Sequence, residues 1–333
     1  MNKASLFVIT LFLLPVILIH SVQGYPIDIT DNSGHTVTIT NSTRIVSLAP
    51  SNTEILFAVG AGSRVVGITE YCDYPPETVN ISNIGGFATV NVEAVVNLSP
   101  DLIFAATHNG EETINQLRNL NLAVVVLDAN NIEDIFSNIL LVGNITKNQN
   151  NASQVVENMR FQINKITDIT NDLPDDQKPR VMYIVWDEPL YSAGSDTYPD
   201  DLIKKAGGIN IVQSKGWPVM NLESVVAENP QIIFTSSMGN ESYALTNRVL
   251  NNTVLARTDA VKNGRVFPIA DPNIVERAGP RITQGLAELY EYMHTAAQTP
   301  VFDPTAESEQ ETPGFGFIMV IGVLLIVYLK RRV

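Results

Sequence analysis

A fourteen-residue stretch occurs twice in this chain. Residues 91–104 read NVEAVVNLSPDLIF, and residues 221–234, 130 positions later, read NLESVVAENPQIIF. Seven of the fourteen positions are identical, among them Asn91/Asn221, Glu93/Glu223, Pro100/Pro230 and Phe104/Phe234. A solenoid repeat has a period of about 20–50 residues, so this spacing is too long for one. It fits two similar lobes, and 333 residues make about two domains. Two lobes in one chain enclose a cleft, a common seat for a small ligand.

The segments around each copy support this. In 25–145, a hairpin over 27–39 turns at Asp31-Asn32-Ser33-Gly34. Strands follow at 45–48, 65–68, 102–105 and 123–127, alternating with helices over 91–98, 111–120 and 132–142. Ser51 and Glu54 have the spacing of a capping box opening a short helix that Gly60 ends. In 174–298, strands at 180–185, 232–235 and 266–269 alternate with helices over 200–206, 221–228 and 281–297. Such alternation predicts an α/β fold: two Rossmann-like lobes with parallel sheets.

Between the lobes, in 146–173, Val155, Val156, Met159, Ile163, Ile166 and Ile169 fall three or four apart. They form one apolar stripe on a helix of about six turns. This reads as a single long, stiff strut joining the lobes; an ordinary surface helix is the alternative.

Both ends differ from the body. Residues 1–24 begin with Lys3, continue through an apolar run of 16 residues (4–19) and end in Val22-Gln23-Gly24. That is the plan of a secretory signal peptide, since a span needs about 20 apolar residues. Residues 299–312 are a polar, acidic stalk unsuited to folding. Residues 313–333 read Pro313-Gly314-Phe315, then an apolar run, then Lys330-Arg331-Arg332. Basic residues after an apolar run stay inside, which leaves the body outside. This tail resembles the PGF-CTERM sorting signal of archaeal surface proteins, which is replaced by a lipid anchor; a plain C-terminal span is the alternative. Either tethers the protein to the outer face of the membrane. Sequons at Asn41, Asn80, Asn97, Asn144, Asn151, Asn240 and Asn251 suit an exterior glycoprotein.

Apart from Lys3, Lys330, Arg331 and Arg332, the chain has 17 basic against 35 acidic residues, a net charge of −18. Nucleic acid and anionic lipid are poor partners for such a body. Cys72 is the sole cysteine, so no internal disulfide forms.

In open parallel sheets, ligands bind beyond the carboxyl ends of the strands. The residues that follow the strands here are Tyr71, Cys72, Asp73 and Tyr74; Thr107, His108 and Asn109; Trp186, Asp187, Tyr191, Ser195, Asp196 and Tyr198; and Asp271, Asn273, Glu276 and Arg277. Trp217 and Phe87 occupy matching places before the two repeated helices. Both tryptophans and four of the ten tyrosines fall in these loops. Aromatic faces in a cleft suit a flat, bulky ligand. The candidate ligand residues are Tyr71, Tyr74, Phe87, His108, Trp186, Tyr191, Trp217, Asp271 and Arg277. The chain has no phosphate-cradling Gly-rich loop, no His-Glu-x-x-His and no Gly-x-Ser-x-Gly. No catalytic residues or metal ligands are assigned, and no resident cofactor is expected.

The runs Arg44-Ile45-Val46-Ser47-Leu48-Ala49-Pro50-Ser51-x-Thr53-Glu54, Tyr71-Cys72-Asp73-Tyr74-Pro75-Pro76 and Glu276-Arg277-Ala278-Gly279-Pro280-Arg281, with the two Asn-x-Glu helices, carry a family resemblance. Over about 27–297 the chain resembles the class III periplasmic binding proteins, the cobalamin- and iron-siderophore-binding components of ABC importers. The resemblance implies two lobes joined by one rigid helix. It implies that Glu93 and Glu223 dock on arginines of a permease dimer with its ATPase. It implies a small metal chelate as ligand: Tyr71-x-Asp73-Tyr74-Pro75-Pro76, Trp217-Pro218 and the Glu276-Arg277-Ala278 run are closest to the cobalamin binder. Thr107 departs from it, standing where that binder has an aromatic residue. Siderophore or haem binding is the alternative, and anionic siderophores call for several arginines, of which Arg277 and Arg281 are placed to serve. A monomer is expected. A surface sensor or adhesion protein on the same fold, or an enzyme acting on a bound chelate, are the rival classes.

Overall fold

The computed structural model describes residues 25–236 and 242–294. The expected signal, stalk and tail lie outside the described residues.

The first lobe opens with an antiparallel hairpin, β1 (Ile27–Thr30) and β2 (Thr36–Ile39), in the register Ile27 to Ile39. Then come β3 (Ile45–Ser47), helix α1 (Pro50–Ala58), β4 (Val65–Ile68) and β5 (Ser82–Asn83). Helix α2 (Val92–Asn97), β6 (Leu102–Ala106), α3 (Glu111–Asn119), β7 (Val124–Leu127) and α4 (Ile132–Ile145) complete it. Helix α5 (Gln149–Thr170) crosses to the second lobe. There follow β8 (Arg180–Asp187), β9 (Leu190–Ser192), α6 (Tyr198–Lys205), β10 (Ile209–Asn210), α7 (Leu222–Glu228) and β11 (Ile232–Thr235). Last come α8 (Ser242–Asn251), α9 (Asp259–Lys262), β12 (Val266–Pro268), α10 (Asn273–Glu276) and α11 (Ile282–His294).

The first sheet runs β5-β4-β3-β6-β7, all parallel, and the second runs β10-β8-β11-β12, also parallel, with β9 antiparallel on β8. Ignoring β5 and β9, each of these two sheets places its second strand, first, third and fourth in that order. The chain therefore builds one topology twice.

The duplication reaches individual hydrogen bonds. Arg44 immediately precedes β3, and its guanidinium donates to Leu98 O at the end of α2. Arg180 starts β8 and donates likewise to Glu228 O at the end of α7. Leu98 and Glu228 are the eighth residues of the two repeats. The backbone N–H of Arg44 is accepted by Asp101, and that of Arg180 by Gln231, the eleventh residues. Position nine is left-handed in both copies, Ser99 at φ 46° and Asn229 at φ 43°. Each arginine satisfies a carbonyl that the helix end leaves open.

Two features differ from expectation. The Ser51–Glu54 capping box does not form: α1 is entered from Ala49 with Pro50 in its first turn and no side-chain cap. Glu54 is drawn instead to cations of the other lobe. Tyr198, expected in a loop, opens α6, where Thr197 accepts from Asp200 N.

The core explains why the lobes do not stand apart. A single apolar cluster includes Ile45, Leu56 and Phe104 of the first lobe, Val156, Met159, Ile163 and Ile166 of α5, and Tyr183, Phe234 and Leu289 of the second. The opposite face of each sheet has its own cluster, with Val95 of α2 in one and Val225 of α7 in the other. The repeated helices thus cover equivalent outer faces, while α5 stiffens the seam between the inner ones.

Candidate functional site

The site forms where the carboxyl ends of the two sheets meet. On the first lobe, Asn109 is 1% exposed and ties three loops together. Its Oδ1 accepts from Ala106 N at 2.6 Å, and its Nδ2 donates to Leu48 O and Phe87 O, both at 2.8 Å. A buried amide satisfied this way fixes its surroundings. It holds Phe87 beside the exposed His108, their rings 6.2 Å apart and inclined by 23°. In the next loop Cys72 is buried, with the hydroxyls of Thr53 and Thr69 each 3.2 Å from its sulfur. Burial pushes its thiol up, and the anchored sulfur leaves Tyr71 and Tyr74 outward, 55% and 42% exposed.

On the second lobe, Trp186 and Tyr191 are cross-strand neighbours on the β8–β9 hairpin, and Trp186 Nε1 donates to Glu188 O at 2.8 Å. From β9 onward the chain pairs with 214–220: Met220 N donates to Leu190 O, Gly194 N to Gly216 O and Ser195 N to Ser214 O. A Cβ on Gly194 would lie 1.9 Å from Ser214 O, so this approach requires glycine. The loop sets Trp217 edge-on to Tyr198, centroids 6.4 Å apart at 70°. Tyr198 is itself held by its hydroxyl, which donates to Glu276 O. Ser236 Oγ donates to the Glu276 carboxyl, which burial pushes up. Trp186, Tyr191 and Trp217 stay 45%, 37% and 37% exposed. These exposed aromatic side chains on loops at the carboxyl ends of the strands make the candidate ligand surface.

Between the lobes lies an ionic cluster. Arg277 Nη1 donates to Glu54 at 3.0 Å and to Asp73 at 2.6 Å, while Nη2 reaches Tyr71 O at 3.1 Å. Arg281 grips Glu54 through Nε at 3.0 Å and Nη2 at 2.7 Å, and Asp271 through Nη1 at 2.9 Å. Its guanidinium also lies over the Tyr74 ring, 4.2 Å from the centroid. Burial weakens the Arg281 charge, but Glu54 and Asp271 more than offset this and push its pKa up.

The structure thus brings Tyr71, Tyr74, Asp271 and Arg277 together, pairs Phe87 with His108, and pairs Trp186 with Tyr191. Trp217 stands with Tyr198. Arg277 and Arg281 are spoken for by carboxylates. Sequence reasoning missed Glu54 as their partner. The signal was the pair of arginines four apart in 277–281, which need an acid wherever they are buried. Glu93 and Glu223 are both exposed, each on the first turn of its repeated helix behind an Asn cap. Arg257 approaches Glu223 only to 3.7 Å, at the surface. A separate cavity of 340 Å³ lies by α4, α5 and α6 and is lined by Glu133, Arg160, Asp201 and Lys205, which pair with one another.

The chain is thus two α/β lobes joined by one helix. The chain belongs to the periplasmic binding protein family, whose profile matches residues 45–272. It is 32% identical over 279 residues to the uncharacterized ABC transporter substrate-binding lipoprotein YvrC of Bacillus subtilis, covering 82% of this chain and 87% of that one. It is 27% identical over 256 residues to the vitamin B12-binding protein of Vibrio cholerae, covering 76% and 90%. The solved periplasmic heme-binding protein RhuT from Roseiflexus superposes with a TM-score of 0.68 at 27% identity, over 76% of this chain and 98% of that one.

Proposed function

We propose that this protein is the substrate-binding component of an ABC importer, capturing a metal chelate, a corrinoid before others, and delivering it to a permease dimer. The observation that carries this reading is the set of exposed aromatic side chains on the loops of both lobes, Tyr71 and Tyr74 on one and Trp186, Tyr191 and Trp217 on the other. Rigid aromatic faces bury a large planar ligand with little entropy loss. Relatives named for vitamin B12 binding support the corrinoid. Glu93 and Glu223 dock on permease arginines, one from each lobe. The protein acts as a monomer on the outer face of the membrane, anchored at its C-terminus. Native mass spectrometry with cyanocobalamin, haem and ferric chelates tests the reading. A one-to-one cyanocobalamin complex is expected; retention of none of these ligands contradicts it.

Haem is the second reading. It is favoured by the exposed His108 stacked on Phe87, because imidazole is a common haem-iron ligand. A His108-dependent shift of the haem absorption band on binding would select it.

A further inference from the structure

We infer that Glu54 is a specificity-determining residue that biases the interlobe site against anionic chelates. The inference rests on the reading of the cleft as the ligand site.

The two arginines that would attract an anion are turned inward. Their side chains are only 11% and 12% exposed, and Glu54, at 2%, lies between them. Their outer partners, Asp73 of the first lobe and Asp271 of the second, are 61% and 42% exposed. Two guanidinium groups against three carboxylates leave the cluster with a net charge of −1. What the cleft meets is therefore a pair of carboxylates backed by neutralised arginines. Two nearby cations of the second lobe are also paired: Arg248 of α8 with Asp187, and Lys215 with Asp196.

Glu54 controls the balance because it faces both arginines from the opposite lobe. Replacing it by its neutral isostere would leave two cations and two anions in the same place. A carboxylate on the ligand would then gain attraction, in a partly desolvated site where charges are weakly screened. An uncharged or cationic ligand would gain nothing.

The test uses ligands matched in shape and differing in charge. Cyanocobalamin is compared with its monocarboxylic acid, in which one side-chain amide has become a carboxylate. Haem dimethyl ester is compared with haem. Dissociation constants are measured by quenching of tryptophan fluorescence for the intact wild-type protein and for Glu54→Gln. Wild type is expected to favour the less anionic member of the pair it binds by about tenfold at low salt, and E54Q to narrow that ratio by about threefold or more. The preference should also shrink at high salt. An unchanged ratio in E54Q, or a wild-type preference for the carboxylate, overturns the role of Glu54 and leaves the ligand site standing. Binding of none of the four by wild type overturns the chelate reading and this inference with it. Should E54Q fail to fold, Asp73→Asn decides: its carboxylate is exposed and pairs with the same Arg277, so the ratio must narrow in it too.

Discussion

Glu54 of the first lobe accepts hydrogen bonds from Arg281 of the second through both carboxylate oxygens, across 227 positions of sequence. Neither group could stay buried alone, so the contact ties the lobes at the floor of the junction. The apolar cluster running through α5 ties them along the back.

A first prediction follows for lobe motion and stability. With floor and back both fixed, closure on a ligand should be small, and X-ray scattering curves with and without ligand should nearly coincide. Arg281→Ala leaves the Glu54 carboxylate buried with Arg277 alone. It should lower the unfolding free energy in urea by about 3 kcal/mol. Arg281→Lys should recover only part of this, because an ammonium cannot make the forked contact.

Stability should also respond to pH through Glu288. Its carboxyl accepts from Ala270 N at 3.2 Å, yet burial pushes its pKa up to about 7, with Asp271 and Glu291 adding to the rise. A carboxyl raised on folding holds its proton more tightly in the native state. Stability is therefore present in full below the unfolded pKa and falls as pH rises through about 7, by on the order of 3 kcal/mol in all. Glu288→Gln should flatten that part of the profile and be the more stable protein at pH 8. Chemical denaturation between pH 5 and pH 8 measures both.

Trp217 should anchor the ligand. It is half-exposed and braced edge-on by Tyr198. Trp217→Ala should weaken binding by roughly 1–3 kcal/mol, read by isothermal titration, with little change in melting temperature.

Much of this was legible before any coordinates. The repeat at 91–104 and 221–234 foretold two like lobes, and the apolar spacing from Val156 to Ile166 foretold the strut, because both are local patterns. The paired roles of Arg44 and Arg180 were not visible. Each lies about fifty residues from the helix end it serves, and nothing in its own segment repeats. Glu54 misled for a related reason. Ser51-x-x-Glu54 satisfies a local capping rule, but a buried arginine pair in the other lobe outcompeted one backbone N–H at the helix start. Tyr198 read as a loop residue because its helix is short and its hydroxyl partner, Glu276 O, comes 78 residues later.

The tail supplies a separate prediction. If residues after about Pro313 are removed and replaced by lipid, intact-mass analysis of membrane-extracted protein should show no Lys330-Arg331-Arg332 terminus. An apolar run of about 15 residues is short for a lasting span. Recovery of that terminus from mature protein would mean a simple membrane anchor.

Capture and delivery are the two halves of the account, and they separate by mutation. Glu93 and Glu223 sit exposed on the first turns of equivalent outer helices, and among the described residues neither shares a hydrogen bond or ion pair with the aromatic side chains named above. Charge pairs at an interface chiefly set orientation and encounter rate, so losing both glutamates should harm docking and not capture. The decisive measurement is uptake of labelled cobalamin by cells carrying Glu93→Ala with Glu223→Ala, beside titration of the same purified variant. Impaired uptake with unchanged ligand affinity is the predicted result. Normal uptake, or lost affinity, would contradict the account and reduce the repeated helices to a by-product of building one lobe twice.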